Sequence, residues 1–328
     1  KKSLFCRIGP AVDGGLILSG HTDVVPVEGQ EWHSGSFEMI EKDGKLFGRG
    51  SCDMKGFLAC CLASIDNMKS KVLTKPIYFA FSYDEEIGCL AGPALAEAIK
   101  NTYTERPEFA IIGEPSNMRP VIGQKGICVL ETTVKGSAGH SSRIMQEVSA
   151  VHVAAKLIIW LETKMEKLST SGNKNERFSP SHTTLHCGMV KGGIAPNVIA
   201  DTCTFYWDIR VIPEDDVFVI IDEFISYTKE LESELKLKYS ETEINTRINH
   251  PPVPPLGTSE DSEIVPLIQK ITGNNALSTV SYAAEAGQFA NEGFKTVICG
   301  PGDIAQAHRA NEFIEISQLE ACLNMLEN

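Results

Sequence analysis

Residues 77–88 read IYFAFSYDEEIG, an apolar run that ends in three consecutive acidic residues. The run has the length and composition of a strand buried on both faces, which is typical of parallel sheets. Three adjacent carboxylates at the end of a strand repel one another unless cations lie beside them. The segment therefore predicts a buried strand that delivers acidic side chains to the sheet edge where α/β proteins bind ligands.

The flanking segments predict an α/β fold. Apolar runs at residues 15–19, 109–112 and 295–299 have the same strand character, and helical patterns separate them, for example at residues 57–68 and 91–100. Buried strands that alternate with helices are typical of a mostly parallel sheet covered by helices on both faces. We therefore expect an αβα sandwich.

The middle of the chain follows a different order. Residues 129–248 predict a strand, a long amphipathic helix, two strands, a helix and a strand, which is the order of a ferredoxin-like split βαβ unit. The proline-rich segment HPPVPPLG, residues 250–257, marks a stiff connector. The sequence thus predicts a catalytic domain formed by residues 1–124 and 250–328, interrupted by an inserted α+β domain at residues 125–249.

Composition excludes two large classes of function. The 328 residues include 43 acidic and 30 basic ones, and the net charge of −13 repels nucleic acid. No segment reaches the roughly 18 to 20 apolar residues of a membrane span. The ten cysteines form no C-x-x-C pair and no signal peptide is present, so we expect buried thiols in a cytoplasmic protein. Because the sequence starts at Lys1 without methionine, we expect that an N-terminal segment is missing.

Candidate metal ligands follow several of the predicted strands. His21 comes after the first run, in His21-Thr-Asp23, where Asp23 can hold the imidazole from behind. Glu114 follows the third run, and His308 lies after the last one. Asp53 precedes a helix, where the alternative role is an N-cap. A dinucleotide-binding loop is disfavoured there, because Asp53 stands in the place of its third glycine.

Jointly, these residues predict a pair of metal ions. One bridging aspartate, with one histidine and one glutamate for each ion, supplies three protein ligands per ion and leaves positions open for water, as catalytic sites do. Nitrogen and oxygen ligands without thiolate favour Zn²⁺, with Mn²⁺ or Co²⁺ as alternatives. Taken singly, each residue is better explained by a turn or a surface charge.

The sequence resembles the co-catalytic zinc amidohydrolases and exopeptidases, the family that includes acetylornithine deacetylase, succinyl-diaminopimelate desuccinylase, aminoacylase and glutamate carboxypeptidase. The resemblance covers nearly the whole chain, except for a helical segment that normally precedes the first strand. It is carried by these motifs: Ser19-Gly-His-Thr-Asp23, Gly48-Arg-Gly50 with Asp53-Met-Lys-Gly56, Asp84-Glu-Glu-Ile-Gly88, Gly113-Glu-Pro-Ser116 and Ala307-His308.

The resemblance implies a role for each of these side chains. Five of them hold the two ions, with Asp53 as the bridge: His21 and Glu114 at one ion, Glu86 and His308 at the other. Glu85 is then the general base, which takes a proton from water and passes it to the departing amine. Neighbouring residues at a strand end point apart, so Glu86 can bind metal while Glu85 faces the water.

The resemblance also identifies the inserted domain as a dimerisation lid. His140 matches a histidine that reaches into the partner subunit's site and stabilises the tetrahedral oxyanion. Asn197 and Arg210 match residues that bind the carboxylate of the substrate, a task suited to the forked guanidinium. Without the resemblance, His140 is a turn histidine and Arg210 is a surface charge at a strand end. The implied assembly is a homodimer.

Within this family, segments 281–286 and 300–308 resemble those of acetylornithine deacetylases. This resemblance implies hydrolysis of N2-acetyl-L-ornithine to L-ornithine and acetate, a step of arginine biosynthesis. Glu285 is then expected to contact the distal ammonium of ornithine. Ala284 replaces the usual threonine, which leaves the substrate open: succinyl-diaminopimelate, another acyl-amino acid or a dipeptide is the alternative. A catalytically silent relative is disfavoured, because the ligand positions and the base are intact.

Overall fold

The computed structural model describes residues 1–328, which form two compact units. The first unit contains residues 1–124 and 253–328, and the second contains residues 125–252. The second unit therefore interrupts the first along the sequence. No helix combines the length and the apolar character that a bilayer span requires.

The chain forms 17 strands and eight α-helices. The strands are β1 (Leu4–Ile8), β2 (Leu16–His21), β3 (Ile40–Lys42), β4 (Lys45–Phe47), β5 (Ile77–Ser82), β6 (Phe109–Pro115), β7 (Val121–Gln124), β8 (Gly126–Lys135), β9 (Gly139–His140), β10 (Thr184–Gly192), β11 (Val198–Ile199), β12 (Thr202–Val211), β13 (Glu243–Ile248), β14 (Leu256–Gly257), β15 (Ser278–Val280), β16 (Lys295–Gly300) and β17 (Phe313–Glu315). The α-helices are α1 (Gly56–Ala63), α2 (Ile65–Ser70), α3 (Gly92–Thr102), α4 (Ala150–Ser171), α5 (Val217–Lys236), α6 (Ile264–Thr272), α7 (Ala286–Asn291) and α8 (Ile316–Glu327).

The first unit is built on a mostly parallel sheet. Its strand order is β1-β5-β2-β6-β16-β7-β14, and β15 also pairs with β7. Strand β2 lies parallel to both β5 and β6, and β16 lies parallel to β6. Antiparallel pairs are confined to the two sides of this centre, at β1, β7 and β14. The predicted α/β class is confirmed.

Helices cover both faces of this sheet, because successive side chains of its strands alternate between two apolar cores. In β2, Leu18 packs in a core with residues of α1, α6 and α8. Its neighbour Ile17 packs in a second core with residues of α3 and α7. The strands are therefore buried on both sides, which is the layered arrangement of an αβα sandwich.

The parallel register brings the carboxyl ends of four strands to one edge. His21 is the last residue of β2 and pairs with Ser82, the last residue of β5. The acidic run follows β5, Glu114 lies one residue before the end of β6, and His308 follows β16. The candidate ligands are thus delivered from separate strands to a common rim of the sheet.

The second unit has the expected split βαβ order, β8-α4-β10-β12-α5-β13, apart from the small β9–β11 ladder. Its four-stranded sheet runs β10-β12-β8-β13 and is antiparallel throughout. Helices α4 and α5 pack with the sheet in one apolar core, in which the rings of Trp207 and Phe224 lie 4.7 Å apart. This is the ferredoxin-like arrangement.

Two predicted elements are divided in the structure. The helix expected over residues 57–68 breaks at Ser64, whose hydroxyl donates to the carbonyl of Cys60 at 2.8 Å, a bond that bends helices. The strand expected over residues 198–211 breaks at Ala200 and Asp201. Their carbonyls accept hydrogen bonds from Ala150 and Gly136 instead of joining the ladder of β12. The small sheet β17-β4-β3 was not predicted, because its strands have three residues each.

Gly113 lies where strand β6 meets the ring of Phe57, and a Cβ atom there would stand 2.1 Å from that ring. We predict that Gly113→Ala lowers the free energy of unfolding by about 1 to 3 kcal/mol, because the buried ring has to move. Thermal unfolding followed by circular dichroism measures the effect.

The matched control is Gly188→Ala on the exposed end of β10, where the nearest atom belongs to the exposed side chain of His186 at 3.3 Å. We expect a change within about 0.5 kcal/mol there. Equal effects of the two substitutions would contradict the proposed packing at Gly113.

Candidate metal centre

Asp53 lies at the centre of the cluster on the sheet edge. Its Oδ1 atom lies 2.9 Å from Nε2 of His21, and its Oδ2 atom lies 3.4 Å from Nε2 of His308. Each carboxylate oxygen therefore faces a different histidine. A carboxylate in this position can serve as a ligand on two sides.

Each histidine also meets a glutamate. Nε2 of His308 lies 3.0 Å from Oε2 of Glu86, and Nε2 of His21 lies 3.8 Å from Oε1 of Glu114. The five side chains thus form two half-sites that share Asp53. Ligand atoms of His21, Asp53 and Glu86, which come from both half-sites, all lie within 4.8 Å of one another and could hold a metal ion.

The donor set fits divalent ions. It consists of imidazole nitrogens and carboxylate oxygens, which suit Zn²⁺, Co²⁺ or Mn²⁺. Oε1 of Glu86 is buried and has no hydrogen-bond partner, although a buried carboxylate oxygen normally has one. A cation between the half-sites would satisfy this atom.

The electrostatics of the cluster point the same way. Burial opposes ionisation of Asp53, but hydrogen bonds from His21 and His308 outweigh it and lower the Asp53 pKa. Hydrogen bonds to Asp53 and Glu86 raise the pKa of His308 to about 10. Burial, followed by the charge of Asp53, raises the pKa of Glu114 well above its ordinary value. The cluster therefore holds more acidic groups than its two imidazoles neutralise.

Asp23 connects a metal ligand with the acidic turn. Its Oδ1 and Oδ2 atoms accept hydrogen bonds from the backbone N–H groups of Glu85 and Glu86, each at 3.2 Å. Nδ1 of His21 lies 3.0 Å from the backbone carbonyl of Asp23 and 3.5 Å from its Oδ1. With Nδ1 engaged in this way, Nε2 of His21 is directed at Asp53.

Glu85 and Glu86 are neighbours with different surroundings. Glu86 meets His308, whereas Oε1 of Glu85 accepts a hydrogen bond from Sγ of Cys89 at 3.3 Å. Burial raises the pKa of Glu85 to about 8, and the charges of Glu285, Asp53 and Glu86 act in the same direction, while His21 opposes them. Glu85 therefore pairs with neither cluster histidine, although its carboxylate, with ligand atoms of His21 and Glu114, forms a second group within 4.8 Å that could hold a metal ion.

The sequence prediction of Glu285 as a contact for a substrate ammonium has little support in the structure. Glu285 precedes α7 and is only 1% exposed. Its Oε1 atom has no hydrogen-bond partner, and burial raises its pKa to about 7. A Cβ atom at Gly92, the first residue of α3, would lie 3.2 Å from Oε1, so this carboxylate lies against the start of α3. The contact with a substrate stays a prediction, and this burial argues against it.

The remaining predicted site residues lie in the second unit. His140 is exposed at the β9–β11 ladder, and its Nδ1 lies 2.9 Å from Oγ of Ser142. The backbone carbonyl of Asn197 accepts a hydrogen bond from Ser141 at 3.0 Å, so His140 and Asn197 belong to adjoining loops. Arg210 lies on β12, partly exposed, with Nε 3.4 Å from Asp208. Their roles toward a substrate stay predictions.

Sequence reasoning missed two residues that hold the cluster loops. Arg49 and Glu312 form a buried ion pair with Nη1 and Oε2 at 2.7 Å. Arg49 lies inside the quoted Gly48-Arg-Gly50 motif, and Glu312 lies four residues after His308. Their spacing from the ligands was the available signal, but the pairing itself depends on the tertiary fold.

Comparison with known protein sequences gives consistent matches along the chain. The sequence model of peptidase family M20/M25/M40 matches residues 17–328. The chain is 32% identical over 326 residues to the acetylornithine deacetylase of Aliivibrio salmonicida (strain LFI1238). The aligned region covers 99% of this chain and 83% of the relative. It is 34% identical over 320 residues to the acetylornithine deacetylase of Proteus mirabilis (strain HI4320), and the aligned region covers 98% of this chain and 79% of that relative.

Solved structures share the fold. The M20 family metallo-carboxypeptidase Sso-CP2 from Sulfolobus solfataricus matches with a TM-score of 0.77 and 19% identity, over 99% of this chain and 86% of that one. The di-peptidase Dug1p from Saccharomyces cerevisiae matches with a TM-score of 0.76 and 15% identity, over 99% and 81%. At these identities, the likeness concerns the fold alone.

Shared coordination by Asp53 has a measurable consequence. Purified Asp53→Ala protein should lose both ions, because each half-site loses one oxygen, whereas His308→Ala should retain about one of two ions per chain. Metal content after dialysis, measured by mass spectrometry, distinguishes the two variants. If Asp53→Ala kept one ion and His308→Ala kept none, the bridge would be assigned to the wrong residue.

Proposed function

The chain belongs to peptidase family M20/M25/M40 and is a metal-dependent amidohydrolase, and we propose that it hydrolyses N2-acetyl-L-ornithine to L-ornithine and acetate. The observation that carries this proposal is the identity of 32% to 34% with two acetylornithine deacetylases over nearly the whole chain. The cluster around Asp53 supports it, because amide hydrolysis requires an activated water and a polarised carbonyl.

The chemistry divides between the ions and the side chains. Two divalent ions, for which we propose zinc with cobalt or manganese as substitutes, would lower the pKa of water and polarise the amide oxygen. His21, Asp53, Glu86, Glu114 and His308 would hold them. Asp23 orients His21 and fixes the turn of Glu85 and Glu86 through their N–H groups. Asp23 thereby holds the proposed proton acceptor Glu85 and the proposed ligand Glu86 in one turn.

Glu85 is the proposed general base. Its carboxylate lies within 4.8 Å of ligand atoms of His21 and Glu114 but forms no hydrogen bond or ion pair with His21 or His308, which supports its availability for proton transfer at the cluster. It would accept a proton from the attacking water and deliver it to the amine as the amide bond breaks. This leaves Glu85 ionised again for the next turnover.

For the second unit we propose substrate and assembly roles. His140 would stabilise the oxyanion, in a homodimer that forms through this unit, and Asn197 and Arg210 would bind the carboxylate of the substrate. The proposed setting is arginine biosynthesis in the cytoplasm. The exposure of His140 and Arg210 supports these roles, because both side chains are accessible to a ligand.

Removal of the proton acceptor should separate turnover from metal binding. We predict that Glu85→Ala and Glu85→Asp lower kcat by about 10²- to 10⁴-fold, since general-base catalysis typically contributes that much. Both variants should retain wild-type metal content, because Glu85 is not one of the five proposed ligands. Glu86→Ala is the matched control and should lose metal. If the Glu85 variants lost metal instead, Glu85 would be assigned as the metal ligand and Glu86 as the general base.

A substrate panel tests the proposed specificity. Rates of hydrolysis are compared for N2-acetyl-L-ornithine, succinyl-diaminopimelate, neutral N-acetyl-amino acids and a dipeptide. We expect the highest kcat/KM for acetylornithine, and loss of all activity after chelation with recovery on addition of Zn²⁺ or Co²⁺. A preference for any other member of the panel rejects the proposed substrate, and full turnover by metal-free protein rejects the proposed mechanism.

The same panel tests Glu285. If Glu285 contacts the distal ammonium, Glu285→Gln should reduce the preference for acetylornithine over neutral acyl-amino acids. Loss of a contact with a substrate cation would change the ratio of the two kcat/KM values by more than about threefold. Because Glu285 is buried, we expect that it makes no such contact and that the ratio changes by less than this.

A further inference from the structure

Glu312 is a buried carboxylate whose partners all belong to the loop that carries Asp53. Its Oε1 atom accepts hydrogen bonds from the N–H groups of Cys52 at 2.9 Å and of Asp53 at 3.1 Å. Its Oε2 atom accepts from Nη1 of Arg49 at 2.7 Å and from the N–H group of Gly50 at 3.1 Å. The side chain is 1% exposed. Four donors on two oxygens fix the loop in one arrangement.

Arg49 extends this network to the loop that carries His308. Besides Glu312, its Nη1 donates to the backbone carbonyl of Arg309 at 3.2 Å. Its Nη2 donates to Oε1 of Gln30 at 2.5 Å, and Nε2 of Gln30 donates to the carbonyl of His308 at 2.9 Å. The carbonyls on and directly after His308 are therefore both held. Two ligand loops that are distant in sequence are joined through one ion pair.

The backbone of His308 shows why such support is needed. Its φ angle of 62° lies in the left-handed region, which a residue with a side chain adopts at a cost. Such a conformation persists when the surrounding structure holds it. Gln30 holds the carbonyl of His308 itself, and Arg49 holds the carbonyl of the next residue, Arg309. Without them, the loop can relax and move the imidazole away from Asp53.

We propose that Glu312 and Arg49 are positioning residues, which set the separation between Asp53 and His308 and thereby the affinity of the metal position that these two ligands share. This inference rests on the proposed function only through its requirement for metal. A buried ion pair by itself is weak evidence of a contribution to stability. In this protein, the ion pair also binds backbone groups of the two ligand loops, so we expect it to affect the binding of metal by those loops.

The main test is a titration of metal-free protein with Co²⁺, followed by visible absorption and calorimetry. Glu312→Gln preserves the shape of the side chain but replaces one oxygen with an NH₂ group, which then faces two donors. We expect one of the two Co²⁺ ions, the one held by Asp53 and His308, to lose about 10- to 100-fold in affinity, the usual effect of removing a group that orients metal ligands. The absorption band of that ion should change as well.

Arg49→Lys is the second variant, in case Glu312→Gln does not fold. Lysine keeps the charge but lacks the fork that reaches Glu312, Arg309 and Gln30 together. The expected loss in Co²⁺ affinity is of the same order, about 10-fold or more. Circular dichroism at a temperature below the unfolding transition establishes that each titrated variant is folded.

Glu105→Gln provides the matched control. Glu105 is a buried glutamate of the same unit that pairs with Arg7, and it makes no contact with the ligand loops. Its substitution can lower the unfolding temperature but should leave both Co²⁺ affinities within about threefold of wild type. A merely structural role of Glu312 would make the two glutamine variants behave alike.

The outcomes separate this inference from the proposed function. Wild-type Co²⁺ affinities in a folded Glu312→Gln or Arg49→Lys variant overturn it, and so does a wild-type chain that binds no second ion. Weakened binding in the variants supports it, whichever substrate the panel identifies. If the wild-type chain binds two ions but does not hydrolyse acetylornithine, the proposed substrate is rejected, and the Co²⁺ affinities of the variants still decide the positioning role.

Discussion

Repulsion between carboxylates is the constraint on which the site depends. Asp53, Glu85, Glu86 and Glu114 share one edge of the sheet with only two imidazoles, and most of this cluster is withdrawn from water. Two unit charges about 4 Å apart interact by roughly 4 kcal/mol near a protein surface. The surroundings respond in the expected way: Asp53 is held ionised between two histidines, whereas burial favours the protonated forms of Glu85 and Glu114. Divalent cations remove this conflict with the least change of structure.

The sheet makes the crowding possible. Parallel strands β2, β5, β6 and β16 are buried on both faces, so their ends cannot move apart without opening an apolar core. Strands β2, β5 and β6 then each deliver one or two polar side chains to the same rim. The site is therefore built on rigid elements, and only Asp53 and His308 arrive on longer loops. Those two loops are the ones that the network of Arg49 and Glu312 joins.

Much of the fold and of the candidate metal site was predictable from the sequence, for a physical reason. Period-two alternation and apolar runs indicate strands directly, and the ends of parallel strands coincide by topology, so the α/β class and the convergence of His21, Glu86 and Glu114 followed from local patterns. The break of the helix at Ser64 and the break of the strand at Ala200 did not follow from local patterns. Each break depends on a hydrogen bond that competes with the regular backbone hydrogen bonds of the helix or sheet. The burial of Glu285 also did not follow from the sequence, since it depends on how the start of α7 packs against the start of α3.

Asp23 and Glu312 use the same device at two places. Each is a carboxylate that accepts hydrogen bonds from the N–H groups of two consecutive residues, and in each pair one residue is a proposed ligand: Glu86 for Asp23, and Asp53 for Glu312. Nearly every residue has a backbone N–H group, so the sequence does not show which of these groups a carboxylate contacts. For this reason neither contact could be predicted from sequence spacing. Backbone N–H groups also do not titrate, so the geometry of each of the two turns depends on the accepting carboxylate alone. Each acceptor faces a nearby basic group, His21 or Arg49, which offsets its charge. Acidic residues around this site therefore divide into those that would face the ions and those that hold the backbone, and only the first group requires metal for neutrality.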